Sequence, residues 1–171
     1  NIAAVTFAID EARVKVESSN TSRIANMSPT AASVGSDLNG AATLLACQQI
    51  LQNLKGVAAK LLGNDANVDQ ITLKQEQVYL NEEATSIDWR KLISQAYLSR
   101  TALSAHAHYA TPAVFFDRSQ EKGTPFAYHV YGCASVEVTV DCLRGIYSID
   151  RVSLVHDTGK SLAPMVDRGQ I

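Results

Sequence analysis

Apolar residues along the chain recur at two spacings, and each spacing predicts a different element. Ile2, Val5, Thr6 and Ile9 follow i, i+3, i+4, i+7, the stripe of an amphipathic helix over residues 1–9. Residues 13–17 alternate as a short strand should. Residues 18–36 form a polar loop rich in Ser, Thr and Asn, with one proline at Pro29. A helix is predicted from about Asp37 to about Leu54, with Ser36 and Asp37 as N-cap candidates. Cys47 shares its stripe with Leu44, Leu51 and Leu54, so core packing is its expected role. A second helical piece is predicted over 57–62, ended by Gly63 and Asn64.

The second half mixes both periods. Apolar residues at 71–73 and 78–80 flank a polar 74–77, the pattern of a small hairpin. Ser86 is placed to cap a helix carrying Trp89, Leu92, Ile93, Ala96 and Tyr97 on one face. Residues 101–110 alternate weakly and predict a strand. Residues 111–125, with two prolines and Gly123, predict a loop. The strongest β signal is 126–142, with Val136, Val138 and Val140 on one face and Ser135, Glu137, Thr139 and Asp141 on the other. A turn at Arg144-Gly145 returns the chain along 146–156, and 157–171 is expected to be a loop. Interleaved helices and an evident hairpin exclude a strictly parallel sheet. The expected class is α+β, with helices packed on one face of a mixed, mainly antiparallel sheet.

Composition adds limits rather than chemistry. The 171 residues suit one domain or two small ones, and a 46% hydrophobic fraction is that of a folded chain. Fifteen Lys+Arg against seventeen Asp+Glu give a net charge of −2, which argues against nucleic acid as a partner. No apolar run approaches the roughly 18 residues that span a membrane. Three cysteines are an odd count that fits a reducing, cytoplasmic compartment. Cys133 and Cys142, nine residues apart on one strand, would lie roughly 30 Å apart and cannot bridge. The sequons at Asn20 and Asn26 read as loop composition. His106 and His108 share a strand face without a third ligand and read as ordinary exposed histidines. Glu82-Glu83 reads as a surface charge pair, Asp157 as a turn residue ahead of Gly159, and Trp89 as core.

One stretch stands apart. In Asn26-Met27-Ser28-Pro29-Thr30-Ala31-Ala32-Ser33-Val34-Gly35-Ser36-Asp37-Leu38-Asn39-Gly40, small residues run straight into a helix start. A helix N-terminus exposes about four unpaired N–H groups and the positive end of the dipole. Small side chains let another body approach that backbone closely, which is the design of an anion or phosphate cradle. A polar loop capping a buried helix is the plainer reading of the same residues.

The stretch resembles the cofactor loop of the xanthine dehydrogenase and aldehyde oxidase family of molybdenum hydroxylases, whose pattern is Asn-Thr-Ser-Pro-Thr-Ala-Ala-Ser followed by Asp-Leu-Asn-Gly. Met27 stands where the family commonly has Thr. Two later segments agree. Tyr131-Gly132, Val136-Glu137-Val138, Asp141 and Gly145 resemble the family's following hairpin. Val155-His156-Asp157-Thr158-Gly159-Lys160-Ser161-Leu162-Ala163-Pro164, with Asp167-Arg168-Gly169-Gln170-Ile171, resembles its Asp-x-Gly-x-x-Leu-Asn-Pro segment, with Ala163 replacing the usual Asn. The likeness is weakest over 56–86, and bacterial large subunits are the most similar branch.

The resemblance implies a molybdopterin enzyme that hydroxylates purines or aldehydes with oxygen taken from water. Electrons would leave through 2Fe-2S clusters and FAD. It implies cofactor contacts at Ala31, Ala32, Ser33, Val34, Gly35 and Ser36. Ala32 is nearest the molybdenum through its backbone, Ala31 lines the substrate channel, and Ser33 meets the pterin. Gly35 lies where some relatives carry a serine. The family's general-base glutamate would follow Ile171, while its substrate-binding arginine and glycine-glutamine loop would precede Asn1. Residues 1–171 are therefore expected to be part of one molybdenum-cofactor-binding domain, truncated at both ends, with no catalytic residue and no activity alone. Expected partners are the remainder of the molybdenum subunit, an FAD and iron–sulfur subunit or domain, and a purine or aldehyde substrate, in a homo- or hetero-oligomer. A non-catalytic homologue that binds a pterin or a partner is the alternative from a different class.

Overall fold

A 28-residue helix, α2 (Gly35–Leu62), is the longest element of the chain. The computed structural model describes residues 1–17, 20–22, 30–31, 34–63 and 66–170. They divide into two units, Asn1–Ala110 and Thr111–Ile171. The class is α+β, and every strand pairing described is antiparallel.

In the first unit, α1 (Ile2–Phe7) ends where Ala8 turns to a left-handed φ of 52°. A Cβ at Gly40 would lie 3.1 Å from Ile2 Cδ1, so the glycine leaves α1 the room to lie against α2. The break expected before residue 57 is absent. Gly56 costs a helix about 1 kcal/mol, but Leu54, Val57, Ala58 and Ala59 around it are buried, and that packing carries the helix through. Its N-cap is Val34, so Ser36 and Asp37 fall inside the first turn rather than capping it.

The three strands β1 (Ile71–Lys74), β2 (Gln77–Leu80) and β3 (Glu83–Asp88) form an antiparallel sheet in sequence order. Both connections are two-residue turns of positive φ, Gln75-Glu76 and Asn81-Glu82, the sense of twist that hairpins favour. Ile71, Leu73, Val78 and Leu80 share one face, because Ile71 pairs Leu80 and Leu73 pairs Val78. That face meets Leu54, Val57 and Ala58 of α2 together with Leu92 and Ala96 of α3 (Trp89–Leu98). The β2–β3 register shifts between Gln77 and Tyr79. Side chains replace the ladder there. Gln77 Nε2 donates to the carbonyls of Thr85 at 2.5 Å and Ile87 at 3.0 Å, and Thr85 Oγ1 donates to the Val78 carbonyl at 2.8 Å.

Ser86 is part of β3 and does not cap the next helix. Asp88 does, its Oδ1 accepting the Lys91 N–H at 2.7 Å. Trp89 is half-buried, its ring 5.7 Å from that of Phe7. The strand expected over 13–17 is an irregular extension after a 3₁₀ turn (Glu11–Arg13). Residues 101–110 alternate between half-buried and exposed, yet carry no ladder among the described residues. A side chain, Asn53 Nδ2, holds the Ala102 carbonyl instead at 3.0 Å.

The second unit contains a small hairpin, β4 (Phe115–Asp117) with β5 (Lys122–Thr124), inside the stretch expected to be a loop. Gly123 makes it possible: at φ 154° a Cβ would lie 2.3 Å from the Phe115 carbonyl oxygen. The long hairpin joins β6 (Gly132–Asp141) to β7 (Ile146–His156), with Gly145 at φ 65° in its turn. β6 starts at Gly132, six residues after the alternation begins. The terminal stretch expected to be a loop contains α4 (Pro164–Gln170). No described residue of this unit is buried. No described helix is long and apolar enough to cross a membrane.

Candidate functional site

The small-residue stretch leads directly into α2. Ala31 and Ser36 are exposed, while Val34 and Gly35 are half-buried. Ala32 and Ser33 lie outside the described residues. Val34, at the N-cap, has no side-chain acceptor and makes no cap bond of the kind that Asp88 supplies to α3. The dipole of this long helix therefore ends beside small, partly exposed residues, which favours negative charge there. A Cβ at Gly35 would meet Thr30 Cγ2 at 3.6 Å, an ordinary contact. Among the described residues nothing crowds that position. Thr30, exposed itself, forms the near wall of this stretch.

The other candidate residues do not gather here. His106 and His108 are exposed, and no group of three or more His, Cys, Asp or Glu is placed to hold a metal ion among the described residues. Glu82 forms an ion pair with Lys74 at the surface. Asp157 has the turn role expected of it, its Oδ1 accepting the Gly159 N–H at 2.9 Å, with Gly159 at φ 63°. Cys47 is buried, and desolvation pushes its thiol pKa up, which suits a packing role and not a nucleophile. Cys133 and Cys142 are exposed free thiols.

A family model described as the molybdopterin cofactor-binding domain matches residues 1–171. The chain belongs to that family. Among relatives of this molybdopterin-binding domain, a xanthine dehydrogenase of Oryza sativa subsp. japonica is 38% identical over 170 residues, 99% of the chain and 11% of the relative. A xanthine dehydrogenase of Dictyostelium discoideum is 36% identical, and a xanthine dehydrogenase/oxidase of Felis catus 34%, each over 99% of the chain and 11% of the relative. The domain thus spans about one-ninth of the length of these relatives. The N-terminus of α2, where Val34 makes no side-chain cap bond, sets the positive end of the helix dipole beside Ala31 and Gly35, a setting compatible with an anionic group.

Proposed function

We propose that the full-length protein is a molybdenum hydroxylase of the xanthine dehydrogenase type. It oxidises purines such as hypoxanthine and xanthine with oxygen drawn from water, and this chain contributes the loop 31–36 that holds the cofactor. The observation that carries this reading is the α2 N-terminus, with no side-chain cap bond at Val34, an exposed Ala31 ahead of it and a half-buried Gly35 opening the helix. When bound, the molybdenum–pterin group supplies the two-electron oxidation of a carbon next to nitrogen.

The chain's own residues hold and shape. The N–H groups of Gly35 and Ser36, at the positive end of α2, would hold the anionic part of the pterin. By the family resemblance Ser33 and Val34 would add pterin contacts, and Ala32 would be the small residue nearest the metal. Ala31 keeps the substrate channel wide enough for a planar ring. No residue of this chain moves a proton in the reaction, so the chain alone is inactive. The names of the relatives favour purine over aldehyde.

The partners follow from the same reading. The β6–β7 hairpin leaves Val136, Val138, Val152 and Leu154 exposed, and a two-stranded hairpin is marginal without a covered face. The remainder of the molybdenum subunit covers it. FAD and 2Fe-2S clusters on another domain or subunit take the electrons, within a homo- or hetero-oligomer. Three free cysteines suit a cytoplasmic setting.

The test is Ala32→Leu in the full-length protein, read as molybdenum and pterin content and as hypoxanthine oxidation. A loss of about a hundredfold in turnover, the cost of a misplacement near 1 Å at a reacting centre, supports the assignment. Unchanged metal content together with unchanged turnover overturns it.

A further inference from the structure

The buried residues of α2 are Cys47, Leu54, Val57, Ala58 and Ala59, and none of them precedes Cys47. Within this chain, residues 35–46 therefore extend past the core, about 18 Å of helix at roughly 1.5 Å per residue. The small-residue stretch enters at the far end of that overhang. Gly40 lies inside it, about 7.5 Å along the axis from Gly35. A Cβ at Gly40 would stand 3.1 Å from Ile2 Cδ1, tighter than an ordinary contact, so α1 bears closely on the overhang there. Gly56, in the far half of the same helix, differs: a Cβ there would meet nothing within 4 Å.

α1 is held on its other side. Ala4, in its middle, is buried. The Glu76 N–H donates to the Ala8 carbonyl at 2.8 Å, and Glu76 Oε1 accepts the Asp10 N–H at 3.3 Å. Glu76 Oε2 pairs with Arg13 at 2.7 Å. Glu76 belongs to the β1–β2 turn, and that sheet packs on Leu54, Val57 and Ala58. α1 is thus tied through the sheet to the far half of α2, while Ile2 bears on the near half. Packed contacts of this kind transmit displacement rather than absorb it.

We propose that Ile2 and Gly40 are positioning residues for the cofactor loop. α1 braces the overhanging start of α2, and the missing side chain at 40 sets how closely it does so, which fixes where the N–H groups of Gly35 and Ser36 lie. The proposal rests on the reading that residues 31–36 hold the cofactor.

The test compares Gly40→Ala and Gly40→Leu with Gly56→Ala in the full-length protein. All three raise helix propensity, so propensity alone moves both positions alike. The readout is molybdenum and pterin content per folded protein, with the folded fraction taken from circular dichroism. Gly56→Ala should keep the wild-type content. Gly40→Leu should lose at least about fivefold, the lower end of what an overpacked contact costs, and Gly40→Ala less. Adding Ile2→Ala to either Gly40 variant frees the space and should restore most of the content. The Gly40→Ala pair serves if Gly40→Leu fails to fold. Gly40 variants that match Gly56→Ala, or a loss that Ile2→Ala does not reverse, overturn the proposal. Ala32→Leu separates the two readings: a loss there with Gly40 silent removes the brace and keeps the cofactor loop, whereas silence at both overturns both.

Discussion

Val138 on β6 sits opposite Ile149 on β7, because Asp150 is extruded from the ladder between Ile149 and Arg151. A register continued without the bulge from the Glu137–Arg151 pair would set Val138 against the Asp150 carboxylate. With it, Val136, Val138 and Val140 face Val152, Ile149 and Tyr147, so one face of the hairpin is continuously apolar. Asp150 itself accepts from Thr139 Oγ1 at 2.6 Å and from Ser148 Oγ at 3.3 Å, on the polar face.

Asp150→Ala removes the acceptor but leaves the extra residue. The expected cost is about 0.5–1.5 kcal/mol, the net worth of a hydrogen bond that water can partly replace. Deletion of Asp150 removes the bulge and keeps Val138 opposite Ile149. Thermal melting of the full-length protein should therefore show the deletion tolerated, whereas an additional residue next to Asp150, which shifts every later side chain of β7 to the other face, is not. Equal damage from deletion and insertion would refute this account of the register.

Leu92 has no exposed surface and joins α3 to both α2 and the three-stranded sheet. Leu92→Ala should cost about 2–5 kcal/mol, transfer and cavity terms together. Leu98→Ala, on the exposed side of the same helix, should cost far less. Urea unfolding followed by the fluorescence of Trp89, the single tryptophan, checks both where its signal dominates.

These elements show what the sequence made legible. The stripe of α3 was visible because burial repeats at the period of a helix, and the alternation of β6 because its valines share one face of the hairpin. The bulge also left a trace, the adjacent polar pair Asp150-Arg151 in an otherwise alternating strand. β3 was not legible, because its ladder is irregular and is completed by the Gln77 and Thr85 side chains, which leave no periodic mark. Ser86 is the expected cap for the same reason: with the strand unseen, nothing in the sequence stops the helix from starting two residues before its true cap, Asp88. In the candidate site, the small-residue run and the helix start were legible as motif. That Val34 rather than Ser36 or Asp37 occupies the N-cap was not, since all three precede the apolar stripe and only the backbone decides among them.

Gln77 makes a sharper test of side chains standing in for a ladder. Its amide donates twice, to the Thr85 and Ile87 carbonyls, in a part-buried position. Gln77→Ala leaves two acceptors without a partner and should cost about 1–3 kcal/mol. Gln77→Glu sets a carboxylate against the same carbonyls and should cost more at neutral pH, with part of the loss recovered as acid protonates it. A stability of Gln77→Glu that is independent of pH would remove the double donation from the account.

Asp117 at the end of β4 supplies a pH dependence with a definite sign. Its Oδ1 accepts from the Ser119 hydroxyl at 2.6 Å, from the Ser119 N–H at 2.8 Å and from the Gln120 N–H at 3.3 Å. The Ser119 hydroxyl, then the Ser119 N–H, hold the carboxyl below its usual pKa range, while slight desolvation opposes them. A carboxyl whose folded pKa lies below its unfolded value stabilises the fold above the unfolded value. That contribution is lost as pH falls through the folded one. The turn between β4 and β5 should therefore keep its amide protection at neutral pH and lose it only in acid below the ordinary carboxylate range. Hydrogen exchange over 115–124, corrected for intrinsic rates, reads this directly. Asp117→Asn should show weaker protection at neutral pH and no acid step, because the amide oxygen accepts without a charge to titrate. An acid step of equal size in Asp117→Asn would assign the titration to another group.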